Sequence, residues 1–119
     1  MKDNEHKIQS EFISIFRLKY PAYKYILFAI PNGGHRNIIV AAKLKKEGVL
    51  AGTPDVFFAK GNEAGKHGLF IEFKYGKNKP NENQLNVHEN LTKFAYVVKI
   101  AYSCNEALQH IENYLNEKI

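Results

Sequence analysis

The chain has 119 residues, 45% of them apolar and 24% charged, enough for one domain over residues 1–119 with a packed core, and too rich in large apolar side chains for a disordered segment. Lys and Arg number 17 against 12 Asp and Glu, a formal charge of +5, so the surface should attract a polyanion, nucleic acid first among such partners. Cys104 is the only cysteine, which excludes an intrachain disulfide and a thiolate zinc site; with no signal-like apolar run and no membrane-length stretch, a soluble protein of a reducing cytoplasm is expected.

Along residues 3–19, Ile8, Phe12, Ile15 and Phe16 recur at helical spacing behind a possible Asp3 or Asn4 cap, which predicts a first helix ended by Pro21. Tyr25 to Ile30 is a short apolar, aromatic run that predicts a buried strand, followed by a Pro31-Asn32-Gly33-Gly34 loop. A second helix is expected over 37–47, closed by Gly48. Asp55 opens a strand through Ala59 after the Gly52-Thr53-Pro54 turn, and a hairpin-length connection leads to an antiparallel partner over 69–74, both strands central in their sheet. A basic loop, Tyr75 to Pro80, precedes a third helix that starts at Asn81 and runs through Leu85, His88 and Leu91; a strand over 95–101 and a helix capped by Ser103 and Glu106 complete the chain. The order α-β-α-β-β-α-β-α predicts an α/β fold, a mixed sheet flanked by helices.

The chemistry is concentrated where charge interrupts a buried pattern. Leu69, Phe70, Ile71 and Phe73 mark a buried strand, yet Glu72 and Lys74 sit in it, and residues two apart on a strand share a face. Buried charges are rare unless they pair or bind a metal. Asp55, opening the neighbouring strand, completes a set of two hard oxygen ligands and a lysine, as metal-assisted hydrolysis of a phosphodiester requires. The lysine can orient the attacking water or stabilise charge on phosphorus, and the products expected are a 5′-phosphate and a 3′-hydroxyl. On the first helix, Glu5 and Gln9 fall in the same arc as Ile8, Phe12 and Phe16, so a further inward carboxylate is available to a cation.

The run Ile30-Pro31-Asn32-Gly33-Gly34, then Arg36, Ala41 to Val49, Ala51-Gly52-Thr53-Pro54-Asp55-Val56-Phe57 and Leu69 to Lys74 resembles the virus-type replication-repair nuclease domain, VRR-NUC, of the PD-(D/E)xK superfamily, over nearly the whole chain. The resemblance implies a restriction-endonuclease-like core that cuts DNA with Mg²⁺ or Mn²⁺. It implies Asp55, Glu72 and the Phe73 backbone carbonyl as metal ligands with Glu5, Lys74 as the catalytic lysine, Gln9 behind the metal site, and Gln84 as the glutamine following the core motif. It also implies a stand-alone phage or prophage type, homodimeric and acting like a Holliday-junction resolvase. The chain departs from the pattern at Thr53, where many members carry an aliphatic residue, and fits it loosely between Lys74 and Gln84.

Other readings stand beside these. Glu72 and Lys74 could be a solvated edge pair, Asp55 a turn residue, Glu5 a first-turn acid and Gln9 a boundary residue. Gln84 suits a helix N-terminus as well as an active site. Gly33 and Gly34 could bring amides to a phosphate or simply turn the chain, and Lys43, Lys45, Lys46, Lys77 and Lys79 could contact DNA or only solubilise, with Arg36 the stronger DNA candidate. The histidines show no ligand spacing and none is assigned to a metal. The alternative functions are a DNA-binding module without catalysis, an RNase, or a nuclease subunit active only in a larger complex.

Overall fold

The computed structural model describes residues 2–31 and 37–117. Helix α1 (Lys2–Lys19) buries Phe12 and Phe16 completely, with Ile8 and Ile13 partly buried beside them. The expected stripe shifts in one respect, because Ile15 is 36% exposed and Ile13 replaces it. At about 100° per residue position 15 lies nearer the row through 8, 12 and 16 than position 13 does, so it is the packing against the neighbouring layer, not the period, that selects Ile13. A 3₁₀ turn at Pro21–Tyr23 then feeds β1 (Leu27–Ala29), shorter than the predicted strand.

Helix α2 (Ile38–Lys46) is N-capped by Asn37, whose side-chain oxygen accepts from the Val40 amide at 2.8 Å, and it has no buried residue. Strands β2 (Val56–Phe58) and β3 (Gly68–Phe73) are followed by α3 (Glu82–Lys93), β4 (Tyr96–Ala101) and α4 (Cys104–Leu115). The sheet order is β1-β2-β3-β4, with β1–β2 and β2–β3 antiparallel and β3–β4 parallel. The predicted mixed sheet and the central places of β2 and β3 are therefore observed. A parallel pair cannot be joined by a tight turn, and α3 supplies the crossover.

Alternation along β3 sorts the two faces. Leu69, Ile71 and Phe73 are fully buried on the face covered by α1 and α4, together with Val56 and Phe58 of β2 and Ala107, Ile111 and Tyr114 of α4. Phe12 meets Phe73 at 5.6 Å between ring centroids, Phe16 meets Phe58 at 5.6 Å, and Phe58 meets Tyr114 at 6.0 Å. The Tyr114 hydroxyl donates to the Lys60 carbonyl, so this ring keeps a polar partner at the core's edge. On the opposite face Phe57 stacks on Phe70 at 4.3 Å, and beyond this aromatic pair the residues of β3 turn from apolar to charged.

Tyr20 and Tyr23 pack against the core, whereas Tyr25, at the start of the predicted buried run, is 85% exposed. On α3 the expected Leu85 is 54% exposed, while Gln84, Val87, His88 and Leu91 are the partly buried positions. Among the described residues no helix is long and apolar enough to cross a membrane.

Candidate active site

Beyond the Val56–Ile71 pair, the antiparallel register of β2 and β3 carries Asp55 opposite Glu72. Asp55 is fixed there by the backbone: its Oδ2 accepts from the Phe73 amide at 2.7 Å, while its own amide donates to the Ile71 carbonyl at 3.1 Å. The strand segment between Glu72 and Lys74, including Phe73, thus lies directly against the Asp55 carboxylate. Lys74 falls just past the end of β3, but its amide donates to Ala101 at 3.0 Å and continues the ladder. Its Nζ reaches Glu72 Oε2 at 3.7 Å, as the shared strand face predicts.

Glu72 is 3% exposed and is the buried charged residue of the described core. Its two oxygens are treated differently. Oε2 accepts from Gln84 Nε2 at 2.8 Å and faces Lys74, whereas Oε1 is sealed from solvent without a hydrogen bond. Burial, then repulsion from Asp55, pushes the Glu72 carboxyl up to about 8, against the pull of Lys74. Burial also raises Asp55, with the Glu5 carboxylate adding to the rise and the Phe73 amide and Lys74 opposing it. Glu5 is therefore close enough to act on both acids. Among the described residues, however, no three His, Cys, Asp or Glu side chains are gathered so as to hold an ion, so Glu5 does not join Asp55 and Glu72 in a ready three-carboxylate set.

Gln84 both caps α3 and bonds Glu72. Its side-chain Nε2 donates to Glu72 Oε2 at 2.8 Å, while its Oε1 accepts from the Asn81 amide at 2.9 Å and its backbone amide donates to Asn81 Oδ1 at 2.9 Å. The capping box therefore locks the side chain that holds Glu72. Gly52 makes this possible. Its φ is +94°, and a Cβ there would stand 2.6 Å from the Asn83 carbonyl oxygen, so the turn before Asp55 can touch the start of α3 only with glycine.

Gln9 is partly buried on α1, and no interaction with the acids places it nearer the site than that. Lys43 is exposed on α2, and Lys77 and Lys79 are exposed in the loop that follows Lys74. Gly33, Gly34 and Arg36 lie outside the described residues. His88 was missed by the spacing of histidines alone: its Nε2 is 4.0 Å from Glu72 Oε1 and equally sealed without a hydrogen bond. Burial, then the Lys74 ammonium, lowers its pKa. The signal that could have found it is its place four residues after Gln84, on the same helix face.

No family model matches the chain, and no curated protein matches it by sequence. A solved structure described as a VRR_NUC domain protein superposes with a TM-score of 0.81 at 24% identity, covering 95% of this chain and 88% of the other. The chain therefore has the fold of that VRR_NUC domain protein.

Proposed function

We propose that the chain is a divalent-metal-dependent endodeoxyribonuclease in which Asp55, Glu72 and the Phe73 carbonyl hold Mg²⁺ or Mn²⁺, with Glu5 adding negative charge and Lys74 acting beside the ion. The observation that carries this reading is Glu72 itself, a carboxylate 3% exposed whose Oε1 is sealed and without a hydrogen bond. Leaving that oxygen without a partner is costly, and Asp55 and Glu5 make the surroundings more negative still. Two oxygen-donor acids beside a single lysine fit a hard divalent cation. The fold shared with a VRR_NUC domain protein supports the same assignment.

When bound, such an ion supplies Lewis acidity toward a phosphoryl oxygen and lowers the pKa of water. The chain's own groups do the rest. The Phe73 amide holds Asp55 by Oδ2, and the Gln84 side-chain amide holds Glu72 by Oε2, which lessens the reorganisation either acid needs during the reaction. The Lys74 ammonium, 3.7 Å from Glu72, is a donor able to orient the attacking water or a phosphate oxygen. Lys77, Lys79 and Arg36 are assigned to the DNA backbone, with Lys43 and the Gly33-Gly34 amides as further contacts.

The test is cleavage of branched, flapped and linear DNA with Mg²⁺ or Mn²⁺, alongside Glu72→Ala and Lys74→Ala. Each substitution should lower the rate by at least about a hundredfold; cleavage that survives either one refutes the assignment. A preference for four-way junctions, with a dimer in sedimentation, is expected of a resolvase-like enzyme, since two symmetric cuts need two sites related by a two-fold axis. A DNA-binding module without catalysis would instead bind DNA indifferently to chelator.

A further inference from the structure

The two ends of Glu72 are faced by two side chains of one helix. Gln84 and His88 stand one turn apart on α3, and both aim at this carboxylate, Gln84 at Oε2 from 2.8 Å and His88 at Oε1 from 4.0 Å. The second distance is too long for a hydrogen bond and too short for the pair to ignore one another. Glu72 Oε1 and His88 Nε2 are the buried side-chain polar atoms without a hydrogen bond among the described residues. Their juxtaposition is a specific feature, because native interiors leave few such atoms and each demands a reason.

We propose that His88 is a positioning residue for Glu72, the second prong of a clamp in which Gln84 fixes Oε2 and His88 orients Oε1 toward the divalent ion. This inference rests on the nuclease reading above. His88 is not itself a ligand in this arrangement: among the described residues it forms no ligand set with Asp55 and Glu72. Its ring, with the hydrogen on Nε2, presents a donor opposite Oε1 and limits the rotation of the carboxylate about its last torsion. That torsion is broad and intrinsically soft, so a carboxylate gripped at one oxygen only would sample orientations useless to an ion. Groups that orient ligands in this manner typically contribute 10–100-fold to metal affinity.

The acid that His88 Nε2 approaches is Glu72, at 4.0 Å. Lys74, the other charged group acting on it, repels a positive ring. A purely packing role predicts that any side chain of similar volume would serve; a positioning role requires a donor at the tip. The two can be separated by substitution.

The experiment is calorimetric titration of Mg²⁺ into the wild-type protein, His88→Phe and His88→Gln, with melting curves for each and single-turnover cleavage at saturating Mg²⁺. His88→Phe keeps the ring volume and loses the nitrogen, and should weaken Mg²⁺ binding by roughly tenfold or more. His88→Gln returns a donor to the same reach and should recover most of that loss. If His88→Phe binds Mg²⁺ like the wild type, or if His88→Gln is as weak as His88→Phe while both melt normally, His88 is packing only and the proposal falls. Should His88→Phe fail to fold, His88→Leu takes its place in the same comparison. A wild-type protein that neither binds Mg²⁺ nor cleaves overturns the nuclease reading and this inference with it. Wild-type binding and cleavage with indifferent His88 variants overturns this inference alone.

Discussion

At the scale of single residues, the deciding quantity is the free energy of an ionised Glu72 in a site 3% exposed. With its carboxyl pushed up to about 8 from an ordinary 4.5, the folded, ion-free protein keeps a proton that the unfolded chain gives up between those values. Stability from this group is fully present below the ordinary carboxylate range and is lost as pH rises through about 8, and Asp55 shifts in the same direction. The melting temperature of the ion-free protein should therefore fall over that window, and Glu72→Gln should flatten the fall, ending about 4 °C or more above wild type at alkaline pH. A Glu72→Gln profile parallel to that of the wild type would remove Glu72 as the cause. Saturating Mg²⁺ should flatten the wild-type curve too, because an ion favours the ionised acid. That Asp55, Glu72 and Lys74 come together was legible in the sequence, because Glu72 and Lys74 put charge on one face of an apolar strand and Asp55 opens its neighbour. His88 was not legible, since its significance lies in a 4.0 Å approach to Glu72 across two elements rather than in any spacing among histidines.

At the scale of elements, the site depends on how α3 is seated. The capping box at Asn81 and Gln84 fixes the helix start, and Gly52 lets the Asp55 turn approach it. Gly52→Ala must both adopt a φ of +94° and place a methyl group 2.6 Å from the Asn83 oxygen, so the helix start has to move. Expected is a stability loss of about 1–3 kcal/mol, with a larger proportional loss of Mg²⁺ affinity as Gln84 withdraws from Glu72. A variant that melts lower but binds Mg²⁺ normally would show that the contact serves folding alone. The element order was legible from periodicity and turn residues, as were the antiparallel β2–β3 pair and the mixed sheet. What periodicity could not supply was which flank of a helix faces inward. Ile15 and Leu85 are apolar and exposed, while Ile13 and Gln84 take the inward positions, because the neighbouring layer and not side-chain type decides the phase.

At the scale of the whole molecule, the net charge of +5 matters through where its cations stand relative to the acids. Lys74 is largely enclosed, with 11% of its side chain exposed, and is paired with Glu72, so it adds little to long-range attraction. Lys77 and Lys79 are exposed in the loop that leaves the site immediately after Lys74. That loop is held to the sheet by the Tyr102 hydroxyl, which donates to the Asn78 carbonyl at 2.8 Å, and by a turn in which the Asn78 amide donates to Tyr75 at 3.1 Å. In the proposed nuclease, a cationic loop fixed beside the two acids would engage the DNA backbone next to the site of cleavage. Each phosphate neutralised contributes about −0.9 to the slope of log affinity against log salt. Lys77→Ala with Lys79→Ala should therefore weaken DNA binding at low salt and make that slope shallower by about two, uniformly across DNA sequences. The rate of cleavage at saturating DNA should change far less, since neither lysine touches the acids. An unchanged slope would place the DNA path elsewhere, with α2 and its exposed Lys43, Lys45 and Lys46 the next surface to substitute.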